Sequence, residues 1–318
     1  MKVTEHIERA KGKTLFSLEI LPPLKGQSIL PTFESIDKLI GFGLPFIDVT
    51  YHREEYQYRE TEGGLLKKWC VKRRPGTVGI CAAIQNRYKI DAIPHVLCGG
   101  FTVEETENFL IDLDFLGIDN VMALRGDSVR GEEGFSPEKG GHSFSADLVS
   151  QIASMNKGRF LDDEIIDCCP TDFCIGVAGY PEKHMEAPCL ESDLDFLEEK
   201  VRRGADYIIT QMFFDNARFF EFVKRVRERG ITVPVIPGLK PLATKKQLNA
   251  LPLKFKVDLP EQLVREVISG KSEANIRQAG IEWCVAQSLE LIKEGVPAIH
   301  FYSSGKTDNI REVLSRIA

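Results

Sequence analysis

Short apolar runs alternate along this chain with longer stretches that have the periodicity of amphipathic helices, and this alternation constrains the fold more than any other feature. Strands separated by helices pair in parallel, because each helix carries the chain back to the edge where the strand began. Eight such units in 318 residues fit a single (β/α)8 barrel, a TIM barrel, that spans residues 1–318. The strands are predicted at 15–20, 46–51, 78–83, 121–124, 173–178, 207–210, 233–236 and 298–302, with 94–98 extending the third strand or lying beside it.

The segments between the strands are predicted to be mainly helical. Thr102 and Glu105 have the spacing of a capping box, which marks a helix start. An open, doubly wound sheet is the alternative fold, but it would normally carry a glycine-rich nucleotide-binding sequence after the first strand. Here the first strand ends in Glu19 to Pro23, which favours the barrel. Helices are predicted at 30–41, 54–74, 102–116, 145–155, 193–203, 217–229, 244–251, 260–269, 273–293 and 307–317.

The overall composition argues against several classes of protein. A net charge of −6 disfavours nucleic acid as the main partner, and no apolar run approaches the ~20 residues of a membrane-spanning helix. Residues 1–13 lack the apolar segment of a signal peptide, so we expect a cytoplasmic protein. The cysteine cluster Cys168, Cys169 and Cys174 contains no CxxC pair, so we expect neither a disulfide framework nor a metal site.

The fourth predicted strand ends in a sequence that suits ligand binding. It runs from Val121 to Leu124 and stops at Arg125, Gly126 and Asp127. The glycine allows the backbone to approach a ligand closely, the arginine can bind an anionic or carbonyl-rich group, and the aspartate can accept hydrogen bonds from ring N–H groups. Taken alone, the tripeptide favours a simple turn that carries a surface ion pair.

Most of the other predicted strands also end in polar or aromatic residues. The active site of a TIM barrel forms where the carboxyl ends of its strands meet. We therefore expect these residues to converge on one rim, and their convergence favours a functional site over a set of unrelated surface groups. The residues are Glu19, Thr50, Tyr51, His95, Arg125 to Asp127, Tyr180 to His184, Gln211 and Tyr302.

Glu19 is the candidate general acid. It lies in the apolar stretch from Leu18 to Pro23, with no basic residue next to it in the chain. Loss of hydration should raise its pKa, so that it could hold a proton near neutral pH and donate it to a substrate. The alternative is a strand residue that points to water.

Gln211 and His184 are further candidates for ligand contact. The amide of Gln211 offers a donor and an acceptor to the edge of a heterocycle, or it could simply cap a loop. His184 could contact a phosphate or ribose, although a single histidine is often an ordinary surface residue. No histidines and carboxylates have the spacing of a metal site, and no GxSxG sequence is present.

Eight motifs occur in the same order as in a known family and span nearly the whole chain. They are Phe16 to Glu19 with Pro22 and Pro23, Asp48 to Tyr51, Pro94 to Cys98, Ala123 to Asp127, Gly179 to His184, Thr210 to Asp215, Pro237 with Gly238, and His300 to Tyr302. With these motifs the chain resembles the methylenetetrahydrofolate reductase family, specifically its catalytic barrel. We expect no regulation by S-adenosylmethionine, because the chain ends at Ala318 without the regulatory domain of eukaryotic relatives.

The resemblance implies a flavoprotein of one-carbon metabolism and methionine biosynthesis. FAD would bind noncovalently, and NADH or NADPH would reduce it in a ping-pong reaction. Methylenetetrahydrofolate would then take up the hydride and become 5-methyltetrahydrofolate. We expect a homo-oligomer whose partners are these small molecules, without nucleic acid or membrane. Another FAD-dependent TIM-barrel oxidoreductase, such as one acting on proline, and a non-redox folate-binding module are the alternatives.

The resemblance also implies roles for individual residues. Glu19 would protonate the folate at N10, and Asp127 would act near the flavin pyrimidine and the pterin. The expected FAD contacts are Thr50, Tyr51, His95, Leu124, Arg125, Gly126, Asp127, Ser145, Tyr180, His184, Ala187, Asp193 and Lys200. The expected substrate contacts are Glu19, Asp127, Gln211, Gln247, Leu251, Tyr302 and Lys306.

Overall fold

The computed structural model describes residues 1–128, 134–303, 305 and 307–318. Its centre is a closed barrel of eight parallel strands in which each strand pairs with the next along the chain and the last pairs with the first. This confirms the predicted TIM barrel. The barrel strands are β1 (Leu15–Ile20), β2 (Phe46–Val49), β5 (Asp91–Leu97), β6 (Asn120–Leu124), β7 (Cys174–Gly179), β8 (Tyr207–Met212), β9 (Val235–Leu239) and β10 (Ala298–Tyr302), and a separate hairpin consists of β3 (Glu55–Glu60) and β4 (Leu66–Val71).

Helices follow most of the barrel strands and cover the outside of the barrel. The capping box predicted at the start of α4 is present, since Thr102 Oγ1 accepts a hydrogen bond from Glu105 N at 3.2 Å and Glu105 Oε2 accepts one from Thr102 N at 2.8 Å. The helices are α1 (Val3–Ala10), α2 (Leu30–Asp37), a 3₁₀ turn (Ile40–Phe42), α3 (Thr77–Tyr88), α4 (Val103–Phe115), α5 (Ser145–Met155), α6 (Leu190–Arg202), α7 (Asn216–Glu228), α8 (Gln247–Phe255), α9 (Glu261–Ser269), α10 (Glu273–Lys293) and α11 (Asp308–Ile317).

Two predicted elements were wrong. The predicted strand 78–83 lies within α3, and β5 is the third barrel strand instead. A short apolar run does not distinguish a buried strand from the buried face of a helix, and here Ile80 and Ile84 lie one helical turn apart on that face. The predicted helix 54–74 is the β3–β4 hairpin, which turns through Gly64 at φ 73°.

The N-terminal helix α1, which the sequence did not predict, covers the lower mouth of the barrel. Val3 is fully buried there, and its N–H donates to Asn120 Oδ1 at 2.8 Å. The amino group of Met1 lies 2.9 Å from Asp91 Oδ1. Because Asp91 and Asn120 begin β5 and β6, these contacts tie α1 to the amino ends of the strands and leave the opposite mouth for ligands.

The lower half of the barrel interior is a packed apolar core. Phe46, Ile93, Tyr207 and Ile236 meet there. A Cβ at Gly176 would lie 2.4 Å from the Tyr207 ring, so glycine makes room for this ring inside the barrel. In the part of the chain that the structure describes, no helix combines the length and the apolar character that a membrane span requires.

Candidate active site

Two adjoining cavities open at the carboxyl ends of the strands. The first has a volume of about 440 Å³ and the second about 450 Å³, and Arg125, Tyr180 and His184 belong to the wall of both. The predicted residues that line the first cavity are Glu19, Thr50, Tyr51, His95, Leu124, Arg125, Gly126, Asp127, Tyr180, His184, Gln211, Gln247, Leu251 and Tyr302. Ser145, Ala187, Asp193 and Lys200 line the second cavity. Lys306 lies outside the described residues, and the roles of all these side chains stay predictions.

Glu19 is held at the wall of the first cavity by strand pairing on both sides. In the parallel register, it is aligned with Asp48 on β2 and with Tyr302 on β10. Loss of hydration raises the pKa of Glu19 to about 7, against the opposing attraction of Lys240 and Lys254. No basic residue is next to Glu19 in the sequence, but folding of the barrel brings Lys240 and Lys254 near it.

Three buried titratable side chains, Asp48, His95 and His300, line the first cavity together with Glu19. Asp48 is fully buried, and its two oxygens have no hydrogen-bond partner among the described residues. They lie 3.8 Å from His95 Nε2 and 3.7 Å from His300 Nδ1, distances at which an ion pair would form if the imidazoles were charged. Burial raises the pKa of Asp48 well above its usual range and lowers the pKa of each histidine to about 3. Both histidines are therefore neutral near pH 7, and burial disfavours the charged form of Asp48.

The two charged residues of the Arg125–Gly126–Asp127 turn form ion pairs with different residues. Gly126 has φ 91°, a conformation that favours glycine. Arg125 Nη1 lies 2.6 Å from Glu186 Oε2, at the boundary between the two cavities. Asp127 is 85% exposed, and its Oδ2 lies 3.8 Å from Lys254 Nζ on α8. The Asp127–Lys254 pair thus joins the β6 end of the mouth to α8.

The tips of β8, β9 and β10 are joined by hydrogen bonds. Tyr302 Oη donates to the Thr210 carbonyl at 2.7 Å, and Thr210 Oγ1 accepts from Gly238 N at 2.9 Å. Lys240, which follows β9 directly, donates from Nζ to the Tyr302 carbonyl at 3.2 Å. Gln211 accepts from Met212 N at 3.0 Å through Oε1. These bonds fix the part of the rim where the predicted substrate contacts lie.

The second cavity combines apolar walls with a buried cation. Lys200 is 8% exposed and donates from Nζ to the Ala178 carbonyl at 2.6 Å. Burial lowers its pKa to about 8, against the attraction of Asp193. Asp193 Oδ2 accepts a hydrogen bond from His184 N at 2.9 Å, which fixes the loop between β7 and α6. Phe144, Ala187 and Phe196 supply apolar surface.

Sequence reasoning did not identify Asp48, Lys240 or Lys254 as individual site residues. A sequence signal existed for Asp48, which is an acidic residue inside the buried run 46–49. Lys240 comes directly after an apolar strand, as Arg125 does, and could have been found by the same rule.

Comparison with known proteins places this chain in a family. The family model described as methylenetetrahydrofolate reductase matches residues 2–318. The chain is 31% identical over 316 residues to methylenetetrahydrofolate reductase (NADH) 1 of Arabidopsis thaliana, covering 95% of this chain and 48% of that protein. It is 28% identical over 307 residues to 5,10-methylenetetrahydrofolate reductase of Escherichia coli K12, covering 96% of this chain and 91% of that protein. The chain therefore spans about half the length of the plant relative and most of the bacterial one.

Among solved structures, a protein from Clostridium thermocellum, described as binding two copies of 5-methyl-5,6,7,8-tetrahydrofolic acid, is similar in fold. The TM-score is 0.57 at 14% identity, with 99% of this chain and 98% of that chain covered. At this identity the likeness concerns the fold, and it agrees with the barrel described above. The match of the family model to residues 2–318 shows that this chain belongs to the methylenetetrahydrofolate reductase family.

Proposed function

We propose that this protein reduces 5,10-methylenetetrahydrofolate to 5-methyltetrahydrofolate, using noncovalently bound FAD and NADH or NADPH as the electron donor. The observation that carries the proposal is Glu19, a carboxyl with a pKa of about 7 at the wall of a cavity at the catalytic end of a TIM barrel. A group with this pKa is protonated often enough at neutral pH to act as a general acid. Family membership supports the same reaction.

The two cavities suit a flavin dinucleotide in shape and chemistry. They adjoin each other, as an elongated ligand requires, and the second has the apolar surface that an adenine ring prefers. Arg125 at the boundary and Lys200 in the second cavity supply positive charge for a pyrophosphate. The residues proposed to hold the group are Thr50, Tyr51, His95, Leu124, Arg125, Gly126, Asp127, Ser145, Tyr180, His184, Ala187, Asp193 and Lys200. When bound, the flavin would accept a hydride from nicotinamide and supply it to the folate.

Glu19 would perform the proton transfer of the reaction. The O–H bond of its carboxyl would break as an N–H bond forms at N10 of the folate. The bond between N10 and the methylene carbon would then break, which opens the imidazolidine ring and leaves an iminium cation at N5. The neutral imidazoles of His95 and His300 add no fixed charge that would compete with the proton transfer. Because the pKa of Glu19 is about 7, the rate of folate reduction should fall as the pH rises above about 7.

Asp127 and Gln211 would orient the substrate and stabilise its cationic form. The carboxylate of Asp127 is exposed and paired with Lys254, so it would exchange this partner for the bound ligand. A negative charge beside the cation produced by ring opening stabilises that cation. Gln211 presents an amide at the cavity wall, and Gln247, Leu251 and Tyr302 line the space beside it. Lys306 is proposed as a further substrate contact on the basis of the resemblance alone.

The test separates the two half-reactions. NADH or NADPH should bleach the bound flavin without oxygen, and methylenetetrahydrofolate should restore its colour. Glu19→Gln should leave flavin reduction nearly intact and slow folate reduction by about 10²–10⁴-fold, the range for loss of a general acid. Glu34→Gln, on the exposed face of α2 and outside both cavities, is the control for loss of one carboxylate. A folded protein that takes up no FAD, or equal damage to both half-reactions in Glu19→Gln, would contradict the proposal.

A further inference from the structure

We propose that Lys240 is a positioning residue for the acid step, because its buried ammonium stabilises the negative charge that forms on Glu19 when the proton leaves. The inference rests on the proposed function for its role in catalysis. The coupling between the two side chains is a property of the protein and can be measured without substrate.

Lys240 is held close to Glu19 through the strand framework. It is 7% exposed and lines the first cavity together with Glu19. Its Nζ donates to the carbonyl of Tyr302, the residue aligned with Glu19 on the neighbouring strand. The Ser303 hydroxyl donates to the Glu19 carbonyl at 2.6 Å. These bonds tie the lysine and the glutamate to the same pair of strands, β1 and β10.

A lysine is rarely buried unless another group compensates for the loss of hydration. Burial lowers the pKa of Lys240, and the nearby carboxyl of Glu19 acts in the opposite direction. In turn, Lys240 is the first of the two cations that lower the pKa of Glu19 against the effect of burial. The two groups therefore favour each other's charged form inside a poorly hydrated cavity.

The other groups around Glu19 do not supply this charge. The histidines His95 and His300 are neutral near pH 7, since burial lowers the pKa of each to about 3, and burial disfavours the charged form of Asp48 on β2. Burial also raises the pKa of Tyr302, so that its hydroxyl stays neutral. The second cation that acts on Glu19 is Lys254, which is 64% exposed and lies 3.8 Å from Asp127. Solvent screens an exposed charge of this kind, so Lys240 is the stronger candidate among the described residues.

The proton balance of the step is simple. Glu19 loses its proton to the folate nitrogen and becomes a carboxylate, and the ammonium form of Lys240 offsets the new charge. When the product leaves, water enters the cavity and a proton from solvent restores the acid. Without Lys240 the carboxylate would form with less compensation, so Glu19 would hold its proton more tightly and transfer it more slowly.

The test is an infrared pH titration of the flavin-bound protein in which the band lost in Glu19→Gln identifies the carboxyl of Glu19. Lys240→Met should raise the titration midpoint by about one pH unit, at the low end of the effect of a nearby opposite charge. Lys240→Arg keeps the charge and should restore a midpoint near that of the native protein. Lys224 is an exposed lysine on α7, so Lys224→Met is the charge-matched control and should leave the midpoint unchanged.

Kinetics supply the second readout. One pH unit corresponds to a tenfold change in proton affinity, so single-turnover folate reduction by Lys240→Met should slow by up to about tenfold near neutral pH. The fall in its rate at alkaline pH should shift to higher pH, while the rate of flavin reduction by NADH should stay the same. If Lys240→Met does not fold, Lys240→Gln carries the same predictions, because an amide can still donate to the Tyr302 carbonyl.

An unchanged midpoint in a folded Lys240→Met or Lys240→Gln protein, or an equal rise in Lys240→Arg, would overturn the inference. If the native protein reduces no folate, the proposed function fails, whereas the titration still decides whether Lys240 acts on Glu19. The two proposals therefore fail in different measurements.

Discussion

Replacing Glu19 by glutamine should stabilise the folded protein at alkaline pH, although it removes the proposed acid. The folded state raises the pKa of this carboxyl from an ordinary value of 4.5 to about 7. Between these two values the unfolded chain releases the proton and the folded protein keeps it. Stability therefore falls as the pH rises through this interval and levels off above it. Glutamine has no such ionisation and escapes the loss.

The size of the effect follows from the same two pKa values. Each pKa unit corresponds to about 1.4 kcal/mol, so ionising Glu19 in the folded state costs about 3 kcal/mol of unfolding free energy above pH 7. The side chain is only partly exposed, and it faces the cavity. We therefore expect the stability difference between Glu19→Gln and the native protein to grow by about 3 kcal/mol between about pH 5 and about pH 8.

Urea unfolding of both proteins with saturating FAD, followed by circular dichroism at several pH values, measures this difference. Glu34→Gln on the exposed face of α2 is the control for removal of one carboxylate, and its difference from the native protein should change little with pH. A Glu19→Gln protein whose stability follows that of the native protein at every pH would show that Glu19 does not hold its proton in the folded state.

Two further predictions concern the core of the barrel and Arg125, at the boundary between the two cavities. Gly176→Ala should lower the unfolding free energy by roughly 1–3 kcal/mol, because the new Cβ would lie 2.4 Å from the Tyr207 ring. Calorimetry measures this loss of stability, and an unchanged melting temperature would mean that the ring can move away without cost. Arg125→Ala should weaken FAD binding by about 10- to 100-fold, the range for loss of a hydrogen bond to a charged group, as measured by quenching of flavin fluorescence. Unchanged affinity would remove Arg125 from the proposed FAD contacts.

The barrel and the placement of most candidate residues were predictable, because both depend on local patterns. Alternation of strands and helices is visible in short windows, and the end of a strand can be read from its own residues. Glu19, Gln211 and Tyr302 were found in this way and lie around one cavity.

The errors arose where the outcome depends on distant parts of the chain. The run 78–83 is apolar enough for either a strand or a helix, and packing of Ile80 and Ile84 against the barrel decides for the helix. The surroundings of Glu19 include Lys240, which lies more than two hundred residues away in sequence and comes near only when β10 closes on β1. Such proximity has no local signature, so the sequence predicted the direction of the Glu19 pKa shift and its main cause, loss of hydration, but not the opposing effect of the lysines.

Helix α1 covers the amino ends of the barrel strands, and the two cavities open at the opposite end. Under the proposed function, the electron donor and the folate would both reach the flavin from the first cavity. If both bind against the same face of the flavin, they cannot occupy this space together, so one must leave before the other binds. Alternate binding of the two substrates would then follow from the cavity that they share.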